Sequence, residues 1–323
     1  MIRASLASVS LLVSGPAFAE PACKRELIVL GAGQDAGAPQ IGSFTDNGQY
    51  LYPSSLGLID RENDQRFLFD ATPAITRQLA DLEQATRLDR TKPPRPGLRI
   101  DGVFLTHAHI GHYFGLAYFG REAAGAKDVP VFAMPRMAKF LRSNGPWSQL
   151  VELGNIAITE MAEGQVTVLS DALRVQPIIV PHRDEFSETV GFRITTPDKR
   201  AVYIPYLDSW DEFAKTSGSS LEELVEEADF LFIDATFWDD NELVDENGMG
   251  RDMSEIPHPR VKATMDRLQP LPEPQRRKVH FIHYNHTNPI RDRQSVESFT
   301  VEARGFHVAR RGDRVCLNRS MGL

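Results

Sequence analysis

Apolar and polar positions alternate along this chain between short β-prone runs and stretches of helical spacing. Residues 26–30 read as an apolar strand. Residues 54–59 and 66–70 alternate like paired strands across the polar turn Glu62-Asn63-Asp64. Further runs follow at 103–105, 129–133, 156–160, 165–169 and 178–180, then a hairpin of 189–195 with 200–205 across Pro197-Asp198-Lys199, and buried runs at 230–234 and 279–282. Helical spacing marks 74–82, 135–143, 221–228 and 295–303, with Asn144-Gly145-Pro146-Trp147 expected to break the second helix and Trp147 to sit in a loop that shapes substrate choice. A basic, Pro-rich linker spans 87–97, and two short strands close the chain. No short repeat appears. Near residue 156, however, the strand-rich, helix-punctuated pattern begins again, as a β-sandwich covered by helices on both sides would show.

The first nineteen residues depart from that pattern. Arg3, an apolar run over 4–13, Gly15-Pro16 and Ala17-Phe18-Ala19 have the order of a secretory signal peptide cut after Ala19, and the run is too short to span a bilayer. A lipoprotein reading through Cys23 is poor, because Glu20-Pro21-Ala22 lacks the expected apolar residue. The expected product is a periplasmic or secreted domain of residues 20–323. Its 304 residues carry a formal charge of −9 instead of −8, since Arg3 is lost. An acidic chain without a basic tract excludes phosphate-backbone binding and an anionic membrane surface as expectations, leaving a small-molecule partner. Cys23 and Cys316 lie near opposite ends of the chain; in an oxidising compartment they pair, or else they are two separate buried thiols.

Candidate chemistry concentrates just past the run at 103–105, where His107, His109 and His112 place three of the nine histidines within six residues. In an extended loop, residues two apart point the same way, so His107 and His109 aim at one point, and Gly111 lets the chain turn so that His112 opens a helix. Neutral imidazole is the commonest metal-ligating side chain, and three on one strand-end loop is a metal-site spacing that packing rarely needs. GAGQDAGAPQ at 31–40 follows a strand, but its spacing is not that of a dinucleotide loop and Pro39 blocks a regular helix.

Thr106-His107-Ala108-His109-Ile110-Gly111-His112 resembles the H-x-H-x-D-H signature of the metallo-β-lactamase superfamily, with Gly111 where the signature has aspartate. Residues 31–40, ATFWDDNEL at 235–243, Arg251-Asp252-Met253 and FIHYNHTNP at 281–289 are similar to the pyrroloquinoline quinone biosynthesis protein B branch of that superfamily. The resemblance implies an α/β fold, an αββα sandwich of two mixed β-sheets flanked by helices. It implies a three-histidine zinc site of His107, His109 and His182, and a bridging Asp208 that reaches a second cation held by His112 and His283. One or two zinc ions would be bound, with iron or manganese as alternatives at the second site.

Around this set the residue roles stay open. Asp70 either braces the metal loop from behind or caps the helix after it. Asp184, Glu185 and Ser187 either orient imidazoles or are solvated, and His286 lies in an outer shell or on the surface. His258, between Pro257 and Pro259, either reaches the site from a loop or, more cheaply, stands at a helix start; His280 reads as packing, and His307 has no assigned role. Gly111 leaves the second site one ligand short, which implies weak second-metal binding, a water or another side chain in the gap, or a different metal.

The leading expectation is an exported hydrolase using metal-bound hydroxide on an ester, lactone, amide or phosphoester of a small molecule, with Asp208 in the catalytic set. The alternatives are an iron-dependent oxidative enzyme, implied by the resemblance to the quinone-cofactor branch and compatible with the two-histidine, one-carboxylate pattern, and a catalytically silent metal-binding protein.

Overall fold

A computed structural model describes residues 23–318 apart from 43–45, 47, 49, 88–96, 245–248 and 255; residues 1–19, expected to be a signal peptide, and most of the expected linker at 87–97 lie outside the described residues. Two seven-stranded mixed sheets stack face to face. The first runs through β1 (Arg25–Gly31), β2 (Ser55–Asp60), β3 (Gln65–Phe69), β4 (Gly102–Phe104), β5 (Val129–Ala133) and β6 (Ile156–Glu160) in that order. The second runs through β7 (Thr167–Ser170), β8 (Leu173–Ile179), β9 (Val190–Thr195), β10 (Arg200–Ile204), β11 (Phe230–Asp234), β12 (Val279–Ile282) and β13 (His307–Val308). Each begins with antiparallel hairpin strands and continues with parallel ones, so the second half repeats the construction of the first. A last strand, β14 (Arg314–Cys316), crosses back and pairs antiparallel with β1.

Alternation within buried strands explains why the sequence shows continuous apolar runs. Leu27 and Val29 of β1 face the second sheet, while Ile28 and Leu30 face the helical layer outside. Phe67, Phe69, Phe104 and Phe132 likewise point inward. Phe104 stacks on Phe132 with ring centroids 4.3 Å apart, lies 5.2 Å from Phe69, and meets Phe192 of the opposite sheet at 5.6 Å. Such aromatic pairs bind the two sheets beyond simple area burial.

Outside the first sheet pack α1 (Ile75–Thr86), the short α2 (Ile110–Tyr113), α3 (Pro135–Ser143) and α4 (Trp147–Glu152). Outside the second lie α5 (Trp210–Ser217), α6 (Leu221–Glu227), α7 (Val261–Leu268), α8 (Glu273–Arg276) and α9 (Val296–Ala303). A capping box between Ser220 and Glu223 starts α6. The expected break at 144–147 is only a corner: α4 begins at Trp147, whose indole packs on Tyr113 at 4.7 Å and Phe140 at 5.9 Å. Trp147 is therefore a core residue and not part of a substrate loop.

The cysteines are joined by a disulfide, with Cα atoms 5.8 Å apart and 293 positions separating them in sequence. It fastens the start of β1 to the end of β14. A crosslink of this kind contributes typically about 2–4 kcal/mol, so reduction is expected to lower the thermal unfolding midpoint by roughly 5–15 °C. Differential scanning calorimetry with and without reductant measures this; an unchanged midpoint refutes a stabilising role.

Candidate metal centre

β4 ends at Phe104, and the extended segment after it carries His107 and His109, the latter standing at the N-cap of α2 with φ −97° and ψ 144°. His112 follows inside α2, which gives way at once to a 3-10 turn over Phe114–Phe119. Asp70, just past β3, locks this loop from behind. Its Oδ1 accepts from the Thr106 amide (2.8 Å) and hydroxyl (2.9 Å), and its Oδ2 from His112 Nδ1 (2.7 Å). The helix-cap alternative fails, since Ala74 holds the N-cap of α1 and the Asp70 carboxylate turns toward the histidines. Ser187 Oγ accepts from the Ala108 amide at 2.9 Å and pins the loop from the other side, whereas Asp184 pairs with Arg136.

The nitrogens of His107, His109 and His182 that face inward lie within 4.8 Å of one another, with His107 Nε2 and His109 Nδ1 2.9 Å apart. His107 is set by the Thr106 hydroxyl at its Nδ1 (2.9 Å), and His182 by Asp208 Oδ1 at its Nδ1 (2.7 Å), leaving His182 Nε2 buried without a partner. Carboxylate acceptors at Nδ1 place the proton there and turn the Nε2 lone pair inward. Burial holds all three rings in the neutral form. It pushes His107 well below the usual imidazole range, lowers His182, and brings His109 down to about 4 with help from the neighbouring His182. Three neutral imidazoles converging from two loops are the donor set zinc takes.

The remaining sequence-derived ligands fall differently. His112 and His283 stand 5.6 Å apart with ring planes 25° from parallel, and the Nε2 of each is buried without a partner. His283 adopts φ +67°, a conformation uncommon outside glycine, with Nδ1 3.2 Å from the Thr236 hydroxyl. Asp208 is not a bridge. Its carboxylate sits behind His182, while Ser209 caps α5, so Asp208 orients a ligand instead of reaching a second cation. The residue that reaches the centre is Tyr206, two positions earlier. Its fully buried ring lies 4.0 Å from His283, 4.4 Å from His182, 4.7 Å from His107 and 5.1 Å from His112, and its hydroxyl donates to Asp35 Oδ1 at 2.9 Å.

His258 also belongs here, so of its two readings the loop position holds and the helix start does not: α7 starts three residues later, and His258 Nδ1 meets Asp234 Oδ2 at 2.7 Å with its ring 5.7 Å from His182. His280 packs between Phe232 and His307, and His286 turns to Asn285 outside the cluster.

Gly111 has a steric reason for departing from the signature. A Cβ there would fall 2.2 Å from the backbone oxygen of Asp35. On the open side, Glu185 Oε2 lies 3.5 Å from His109 Nε2, and the adjoining Ile110 and Phe186 are exposed. Glu242, raised to about 7 by burial, accepts from the Trp238 amide and the Thr287 hydroxyl, tying the loop at 235–243 to the loop at 281–289.

A family profile described as beta-lactamase superfamily domain matches residues 65–284. The chain is 28% identical to the coenzyme PQQ synthesis protein B of Rhizobium meliloti (strain 1021), covering 90% of this chain and 97% of that one. It is 27% identical to the protein of the same description from Nitrosococcus oceani, over 87% and 96%. Among solved structures, Zn(2+)-bound PqqB from Methylobacterium extorquens aligns with a TM-score of 0.69 at 21% identity, covering 90% of this chain and 99% of that one. A diphosphatase of the PhnP family aligns with a TM-score of 0.57 at 18% identity, over 90% and 96%.

Removing the brace, Asp70→Ala, is expected to weaken zinc binding about 10- to 100-fold, read by competition against a chromophoric chelator; unchanged affinity would show that the loop holds its shape alone. Acid should also destabilise the metal-free protein. His109 and His280 have folded-state values near 4 and near 3, against about 6.5 when unfolded, so below pH 6.5 the unfolded chain binds more protons. Stability present above pH 6.5 is thus lost as pH falls toward 4, by on the order of 2–3 kcal/mol per histidine. Urea melts across that range check the sign.

Proposed function

The chain belongs to the β-lactamase superfamily, and from that premise we propose that it is an exported metal-dependent hydrolase acting on an ester, lactone, amide or phosphoester of a small molecule. The observation that carries the reading is the meeting of buried His107 and His182 with half-buried His109, all neutral, with their ligand nitrogens within 4.8 Å of one another although 75 positions separate the first from the last. Zinc bound to that trio would supply Lewis acidity at the attacked bond and lower the pKa of a water to about 7.

The chain's own groups supply the rest. Thr106 and Asp208 fix the imidazole orientations, so the donor nitrogens need no rearrangement. Glu185, at the open side and 3.5 Å from the outward Nε2 of His109, holds that ring from the side away from its ligand nitrogen. Ile110 and Phe186 offer apolar surface at the same opening, suited to the carbon skeleton of a small substrate. Export is supported by the pattern of residues 1–19 and by the Cys23–Cys316 bond, since such bonds persist in oxidising compartments.

A second reading draws on similarity over most of the chain to proteins described as coenzyme PQQ synthesis protein B: an iron-dependent oxidative role related to quinone cofactor biosynthesis. Elemental analysis of purified wild type and His109→Ala separates the two. Zinc with turnover of an ester or lactone, both falling at least 100-fold in the variant, supports hydrolysis. Iron with oxygen consumption favours the second reading. Metal without turnover on esters, lactones, β-lactams and phosphodiesters leaves a silent binding protein and overturns the hydrolase assignment.

A further inference from the structure

Residue 111 cannot supply a carboxylate, yet another residue begins where its side chain would. The Cα of Asp35 lies 3.0 Å from the position a Cβ on residue 111 would take, so the Asp35 side chain issues from the space left by the missing one. Asp35 adopts φ +46°, a left-handed conformation that is strained for a non-glycine residue. Its loop is fastened to the segment carrying His283: Gln34 N donates to Tyr284 O (3.0 Å), and Tyr284 N to Ala32 O (2.9 Å). Beside it wait two imidazoles, His112 and His283, whose Nδ1 atoms are taken by Asp70 and Thr236 and whose buried Nε2 atoms have no partner. Tyr206 touches both rings and holds the Asp35 carboxylate through its hydroxyl.

We propose that Asp35 replaces the signature aspartate, so that His112, His283 and Asp35 form a second metal position next to the three-histidine site. Two imidazoles and one carboxylate suit zinc, iron or manganese, the last two more readily than an all-imidazole set does. Among the described residues, only the trio of His107, His109 and His182 gathers its ligand atoms within 4.8 Å. The Asp35 carboxylate must therefore turn from the Tyr206 hydroxyl toward the imidazoles, a rotation about its side-chain bonds. Tyr206, through its hydroxyl, keeps Asp35 in position when the second ion is away. This proposal rests on the metal-centre reading above but not on hydrolysis.

The test is metal stoichiometry by plasma mass spectrometry on full-length chain equilibrated with excess zinc and then desalted. Wild type is expected to hold two ions per chain, with Asp35→Ala and His112→Ala each holding one, and Tyr206→Phe still holding two. Circular dichroism melts identify any variant that fails to fold, and Asp35→Asn serves as the milder replacement. One ion in wild type, unchanged by Asp35→Ala, overturns the proposal and leaves the Tyr206 ring as a plug over the second position. Two ions retained in Asp35→Ala overturn it as well, because the carboxylate then comes from elsewhere. No bound ion in any form removes the metal-centre reading itself, a result distinct from either.

Discussion

Burying a cluster of imidazoles around one phenol ring is tolerable only if each ring is told where its proton belongs. Three carboxylates do this, each just past the end of a strand: Asp70 after β3 for His112, Asp208 after β10 for His182, and Asp234 at the end of β11 for His258. Each is itself committed elsewhere or tethered by the backbone. Asp70 also takes the Thr106 amide and hydroxyl, and Asp234 the Leu207 and Thr236 amides. His112, His182 and His258 therefore inherit their orientation from the sheet ends, while threonine hydroxyls set His107 and His283. A donor set fixed in this way asks little rearrangement of its ligands when a cation enters.

The two halves of the sandwich divide this labour. The first sheet brings His107, His109, His112 and Asp70; the second brings His182, Asp208, Asp234, His258 and His283. The centre lies on the seam between them, at the strand ends, where backbone can leave the ladder and side chains can meet. Phe69, Phe104 and Phe192 press the sheets together beneath that seam. Their packing sets the separation across which the histidines must meet.

Much of this was legible from residues alone. Strands buried on both faces announce themselves as apolar runs, and the spacing of His107, His109 and His112 needs a metal more than a core needs it. Asp70 was visible as one of two alternatives. Tyr206 and Asp35 were not, and His258 was visible only as the weaker of two alternatives. Tyr206 shares the face of an alternating segment with Asp208, and the carboxylate seemed the better ligand until Ser209 proved to start the helix and Asp208 to reach behind His182. His258 lies between two prolines, where no periodicity speaks. Asp35 acquires meaning only through contact with Gly111, across 76 positions of sequence. α7 went unread as well, although Val261, Thr264, Met265 and Leu268 recur at helical intervals and are all buried.

The pairing of β1 with β14 ties the order of synthesis to the exposure of the nascent chain. β1 is among the first strands made, and its outer edge finds its neighbour only when residues 314–316 arrive. Until then a run of seven mostly apolar residues offers unsatisfied amides and carbonyls to any passing strand. A polypeptide built this way has reason to be kept extended, or shielded by a holding factor, until its far end is free, because contacts so distant along the chain form late.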